Sequence, residues 1–111
     1  MNNKYFDFTF HTAATQAANG KEFYVYDFKD LTVEIYGSED NTARTVTFYC
    51  KGPSGTLRAL KGLKVSDWTS DTSTTGTGEI WQFDITGVNS VVMDLTAITG
   101  GSVTVKGRAV T

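Results

Sequence analysis

Apolar and polar side chains alternate with a period of two along most of the chain, and the 3.6-residue spacing of an amphipathic helix is almost absent. In YFDFTFH, residues 5–11, Phe6, Phe8 and Phe10 fall on one side of an extended backbone, and Tyr5, Asp7, Thr9 and His11 on the other. Residues 12–21 carry small and polar side chains, and Asn19-Gly20 signals a turn, so this stretch is expected to be a loop or extended arm. EFYVYDF, residues 22–28, alternates Phe23, Val25 and Asp27 against Tyr24, Tyr26 and Phe28, and LTVEIY, residues 31–36, alternates Leu31, Val33 and Ile35 against Thr32, Glu34 and Tyr36. Each predicts a strand, with Lys29-Asp30 as a tight connection.

The same reading continues downstream. GSEDNTA, residues 37–43, is a polar turn, and RTVTFYCK, residues 44–51, puts Val46, Phe48 and Cys50 on one face. GPSG, residues 52–55, holds the single proline and turns the chain. TLRALKGLKVSDW, residues 56–68, fits a helix through Leu57 and Leu60, or a strand through Leu57, Ala59, Leu63 and Val65 broken near Gly62. The strand is favoured, because an interior glycine weakens a helix by about 1 kcal/mol. Residues 69–78 are free of large apolar side chains and predict an exposed loop, while EIWQFDI, residues 79–85, places Trp81, Phe83 and Ile85 on one face.

The last 21 residues, VVMDLTAITGGSVTVKGRAVT, hold two strand-like runs joined across Gly100-Gly101. If the two runs are direct neighbours, a two-residue loop would set Leu95 against Lys106 and Met93 against Arg108. A three-residue loop or bulge instead puts Val91, Met93, Leu95 and Ala97 on the same face as Val103, Val105, Gly107 and Ala109, so that register is predicted, with glycine at positive φ. About eight short strands separated by turns predict an all-β, antiparallel sandwich or closed barrel. A jelly-roll-like sandwich forming a single domain over residues 1–111 is the first choice.

Several strands look apolar on both faces: Tyr24, Tyr26 and Phe28 oppose Phe23 and Val25, and Val92 and Ile98 oppose Val91, Met93, Leu95 and Ala97. A solitary sandwich leaves the outer face of each sheet in water, so surplus apolar surface predicts a homo-oligomer or another covering partner. A chain of 111 residues, 40% hydrophobic and 13% aromatic, is large enough for one core. Its formal charge of -2 and scattered basic residues argue against nucleic acid, since even the densest basic stretch offers only Arg58, Lys61 and Lys64. No segment reaches the roughly 18 apolar residues of a membrane-spanning helix, and the first ten residues do not resemble a secretory leader. A single cysteine, Cys50, cannot form an internal disulfide and reads as a small core hydrophobe.

Candidate chemistry is sparse. His11 ends the polar side of the first strand and reads as an exposed or edge histidine, with no cluster of metal-ligating residues around it. Asp84, Asp94 or Glu79 could pair across strands as an acid and base, but outward acidic residues are ordinary on solvated strands. TTGTGEIW runs into a strand, not the helix that a phosphate-binding loop requires, and Ser54 is a turn serine. No catalytic residue, metal site or cofactor is assigned. The aromatic side chains are more informative, because exposed rings stack on sugars or fill subunit contacts. Trp68, Trp81, Tyr24, Tyr26 and Tyr36 are the candidates.

Residues 83–110, FDITGVNSVVMDLTAITGGSVTVKGRAV, resemble a segment of small structural proteins of tailed bacteriophages. There a strand ending F-D-x-T-G leads to a V-x-L-T-A-I strand, a glycine pair, and a final V-T-V-x-G-R-A strand. The resemblance implies a non-enzymatic virion component made in the bacterial cytoplasm: a capsid decoration, head-fibre or tail accessory protein that packs against itself and other virion proteins. A carbohydrate-binding β-sandwich module is the alternative.

Overall fold

The computed structural model describes residues 4–38 and 43–111, so the expected turn at residues 37–43 lies mostly outside the described residues. Among the described residues there is no helix. The strands are β1 (Tyr5–Ala14), β2 (Phe23–Tyr24), β3 (Asp30–Gly37), β4 (Ala43–Lys51), β5 (Leu57–Ala59), β6 (Gly62–Lys64), β7 (Ser70–Asp71), β8 (Ser73–Thr74), β9 (Glu79–Asp84), β10 (Ser90–Thr99) and β11 (Val103–Val110). They form two layers. One sheet has the order β1-β11-β3-β9-β6-β7, the other β2-β10-β4-β5, with β8 also pairing with β4. The pairings are antiparallel, and they establish an all-β sandwich without establishing the finer jelly-roll path.

The inner faces follow the period-two pattern. Leu31, Val33 and Ile35 on β3, Trp81 and Phe83 on β9, and Val103, Val105 and Ala109 on β11 meet Val46 and Phe48 on β4 and Val91, Met93 and Leu95 on β10. Phe48 carries the contact between layers, its ring centroid 5.1 Å from Trp81 and 5.0 Å from Phe83. Within residues 56–68 the chain is strand over β5 and β6, as favoured, and turns from Val65, and the break near Gly62 is where the chain changes sheets: β5 pairs with β4 in one layer and β6 with β9 in the other.

The final two strands are a correction. β10 and β11 lie in opposite sheets, so the glycine pair forms an arch between layers and no hairpin. Gly100 and Gly101 do adopt positive φ, 75° and 67°. Their flanking strands share an interior, as predicted, but across the sandwich. Two faces that must meet can do so as neighbours in one sheet or as opponents in two, and periodicity is identical in both cases.

Bulges cause three further departures. In β1 the partner of Thr9 is Lys106 and the partner of His11 is Val105, so one extra residue is accommodated between them. Beyond it, inward and outward exchange: Phe10 and His11 are both buried, and His11 is no surface histidine. In β10 the shift between Leu95 and Ala97 aligns Ala97 with the outward Thr45 and Ile98 with Arg44. Ala97 is therefore exposed, and Ile98, expected on the outer face, packs against the core.

Residues 22–28 were expected to be one strand. Only Phe23 and Tyr24 pair, after which the Phe28 amide donates to the Val25 carbonyl at 3.0 Å and closes a turn. The turn returns Phe28 to Phe23, with ring centroids 6.3 Å apart, and leaves Tyr26 outside. The arm at residues 12–21 begins as the last residues of β1 and then lies along β10, where Ala18 and Leu95 exchange backbone hydrogen bonds of 2.9 and 3.0 Å. Gly20 passes so close to the Met93 carbonyl that a β-carbon there would collide with it. The stretch at residues 69–78 contributes β7 and β8 and buries Thr74.

Candidate functional site

Of the five aromatic candidates, the structure brings together two. Tyr24 lies on β2, and Tyr26 in the turn after it; their rings stack with centroids 5.8 Å apart and planes 12° from parallel. Both stay exposed, at 56% and 64%. Trp68 is exposed too but stands apart, on a turn after β6 closed by its own amide to the Lys64 carbonyl, with φ at +61°. Tyr36 sits near the end of β3, opposite Thr104. Trp81 is only 2% exposed and is a core residue, so it offers no ring to a ligand. Its indole N–H donates to Glu79 Oε1 at 3.0 Å, and the same oxygen accepts from the Thr74 hydroxyl at 2.5 Å.

Tyr24 belongs to a transverse row on the outer side of its sheet. It pairs with Ser90, Ser90 pairs with Lys51, and Lys51 pairs with Leu57. Glu22, two residues before Tyr24, bridges the middle of this row: Ser90 Oγ donates to Oε2 at 2.5 Å, and Lys51 Nζ donates to Oε1 at 3.3 Å. The Ser90 hydroxyl, aided by Lys51, holds the Glu22 carboxyl below its ordinary range against the opposing effect of desolvation. Nothing local in the sequence connects Glu22 to Ser90, 68 positions away.

A second aromatic feature lies where the edges of the two sheets, β1 and β2, approach each other. Phe8 stacks on Phe23 with centroids 4.6 Å apart, and Phe6 stacks on the same ring at 5.8 Å. Phe8 is largely sheltered, whereas Phe6 remains 53% exposed. On the outer face beside it, Arg108 binds Asp7 through two hydrogen bonds of 2.7 and 3.0 Å and lies 4.5 Å from the Tyr5 ring centre. The Arg108 contact lowers the Asp7 carboxyl from its usual range, and Asp7 raises Arg108. Asp7 and Arg108 edge an open groove with Thr32, Glu34, Ile80 and Lys106. The sequence pattern places Phe6 inward; what it misses is that β1 is an edge strand whose first residues overhang the core.

The acid-base candidates are dispersed. Asp84 ends β9 opposite Asp30, and hydrogen bonds from Thr86, chiefly its backbone amide, lower its pKa. Asp94 is in the other sheet and accepts the Gly20 amide at 2.9 Å. Glu79 holds Thr74 and Trp81 at the far end of β9. His11 Nε2 lies 2.7 Å from the Met93 carbonyl oxygen, in a buried contact between the sheets. Since a carbonyl only accepts, that nitrogen is the donor. Cys50 is partly buried, and desolvation pushes its thiol pKa up. Among the described residues no group of three or more His, Cys, Asp or Glu side chains is arranged to hold a metal ion.

Comparison with known proteins places this fold. Over 103 residues the chain is 44% identical to the SPbeta prophage-derived protein YomS of Bacillus subtilis strain 168, covering 93% of this chain and 85% of YomS. It is also 40% identical to the phage-like element PBSX protein XepA of the same organism and 44% identical to its protein YqxG, covering 96% and 97% of this chain. Of those two longer proteins the chain spans only 38% and 36%. The crystal structure of YomS superposes with a TM-score of 0.92 at 40% identity, covering all of this chain and 96% of YomS. That of PBSX exported protein XepA superposes with a TM-score of 0.94 at 39% identity, covering all of this chain and 39% of XepA. Residues 4–109 match the XepA family model, and with these prophage-encoded relatives the match makes this chain a member of the phage-associated XepA family.

Proposed function

We propose that this protein is a non-enzymatic structural component of a phage particle, a capsid decoration or head accessory protein, that acts by self-association and by docking on other virion proteins. The observation that carries the reading is the uncovered aromatic side of the sandwich. Phe6 stacks on Phe23 yet keeps 53% of its surface at the edge of the sandwich. Fully burying a large apolar side chain is worth about 1.5–3 kcal/mol, so a neighbouring copy that covers Phe6 gains part of such an increment from each of the two copies it joins. β1 is also an edge strand, with one flank available to another chain.

Membership of a prophage-encoded family supports the phage setting. The PBSX relative is described as an exported protein, which supports action outside the bacterial cytoplasm. Light scattering after size exclusion tests the first half of the proposal: the wild type should run as a defined oligomer and Phe6→Ser as a folded monomer. Electron microscopy of labelled protein with purified particles tests the second. A wild type that stays monomeric and leaves particles undecorated would overturn the reading.

A further inference from the structure

We infer that the outer face around β2 is a saccharide-binding site, in which the stacked Tyr24–Tyr26 pair presents its exposed ring face to the C–H face of a pyranose while Glu22 and Lys51 take its hydroxyls. A pyranose in an oligosaccharide presents a weakly polar face and a rim of hydroxyls. Its recognition needs a flat aromatic surface beside charged hydrogen-bonding groups already fixed in place. Both requirements are met around the Tyr24 end of one row of the sheet, with Glu22 before β2 and Tyr26 in the turn after it. The tyrosine rings are nearly parallel and held against each other, so ordering them on binding costs little entropy.

The polar half is also set in advance. Glu22 is fixed by Ser90 and Lys51, and Ser90 is opposite both Tyr24 and Lys51, so the carboxylate and ammonium stand on the Tyr24 side of the ring pair. Neither charged group is saturated. A carboxylate offers about four lone-pair directions and an ammonium three protons, and the contacts made here use only part of each. Both side chains keep access to solvent, 28% for Glu22 and 32% for Lys51. A second copy of the chain would suit the apolar side at Phe6 better, because the Tyr24 row is divided by an ion pair that a protein interface would have to desolvate.

An array of neutral hexose, N-acetylhexosamine and uronic acid oligosaccharides, followed by NMR titration of the intact chain with the strongest binder, tests the site. Ring signals of Tyr24 and Tyr26 and the Lys51 amide should shift. Tyr26→Ala should weaken binding about tenfold, equivalent to ~1.4 kcal/mol, Glu22→Gln should weaken it as well, and Tyr24→Ala/Tyr26→Ala should abolish it. The oligomeric state of the variants and the thermal melting of the tyrosine variants should remain those of the wild type, Glu22→Gln should still unfold cooperatively, and Phe6→Ser should bind saccharide normally, which separates this site from self-association. No glycan retained on the array, shifts confined to another surface such as the Trp68 turn, or undiminished affinity in the folded double variant would each overturn the proposal.

Discussion

His11 donates a 2.7 Å hydrogen bond to the Met93 carbonyl while only 7% exposed, and so ties the edge of one sheet to the neighbouring edge of the other. Truncation would leave a buried carbonyl unpaired and a void beside it; His11→Ala is expected to cost about 2–3 kcal/mol in urea unfolding. His11→Gln, which retains an N–H donor, should cost less. Glu22 gives a different signature. Its pKa is lowered in the folded chain, chiefly by Ser90, so its stabilisation is complete above the unfolded carboxylate value of about 4.3 and is lost as pH falls through the folded value. Glu22→Gln should therefore melt below the wild type near neutral pH, and the two melting temperatures should converge on acidification. Neither role could be read locally: each depends on a partner 82 or 68 positions away.

Elements were legible where alternation ran uninterrupted. β3, β4, β9 and β11 lie where the pattern predicts, because each buries one face and a one-residue slip would turn that face into water. β1 and β10 were legible only up to their bulges. Nothing in FTFHT or LTAIT marks an extra residue, since a bulge is a compromise with the partner strand's register and twist. Residues 22–28 failed for the opposite reason: aromatic alternation persists through a turn, and the backbone bends there to close Phe28 over Phe23. The glycine pair was legible in conformation but not in purpose. Both residues occupy the left-handed region, where a side chain costs roughly 1–2 kcal/mol. Gly100→Ala and Gly101→Ala should each lower stability by about that amount in chemical denaturation, without shifting the spectroscopic signature of the folded state.

Across the whole molecule, β11 is the strand on which one sheet depends, because it stands between β1 and β3. Its pairs include Tyr5 with Val110 and Asp30 with Val110, joining the start of the described chain to its end. Truncation before Val103 is expected to abolish cooperative thermal unfolding followed by circular dichroism, not merely to lower its midpoint, since β1 loses its sheet and the core loses Val103, Val105 and Ala109. The surplus of apolar surface is also a whole-molecule property, and the structure redistributes it. Ile98 and Phe28 return to the interior, while Phe6, assigned to the core by alternation, emerges at the edge. The candidate surfaces were thus half legible: Tyr24 and Tyr26 stood out by type, but Glu22, Lys51 and Ser90 joined them only through sheet pairing.

The sequence by itself determined that this is an all-β protein, which faces of its longer strands are apolar, and where the chain can reverse at glycine. Those properties follow from local chemistry: side-chain alternation, β-branching and accessible backbone angles act within a few residues. Tertiary structure alone decided which strands share a sheet, which side of β1 and β10 faces inward past their bulges, and which aromatic rings remain in water. Those outcomes depend on contacts between residues far apart in the chain, where the same apolar face can be buried equally well by a neighbour in its own sheet or by an opponent in the other.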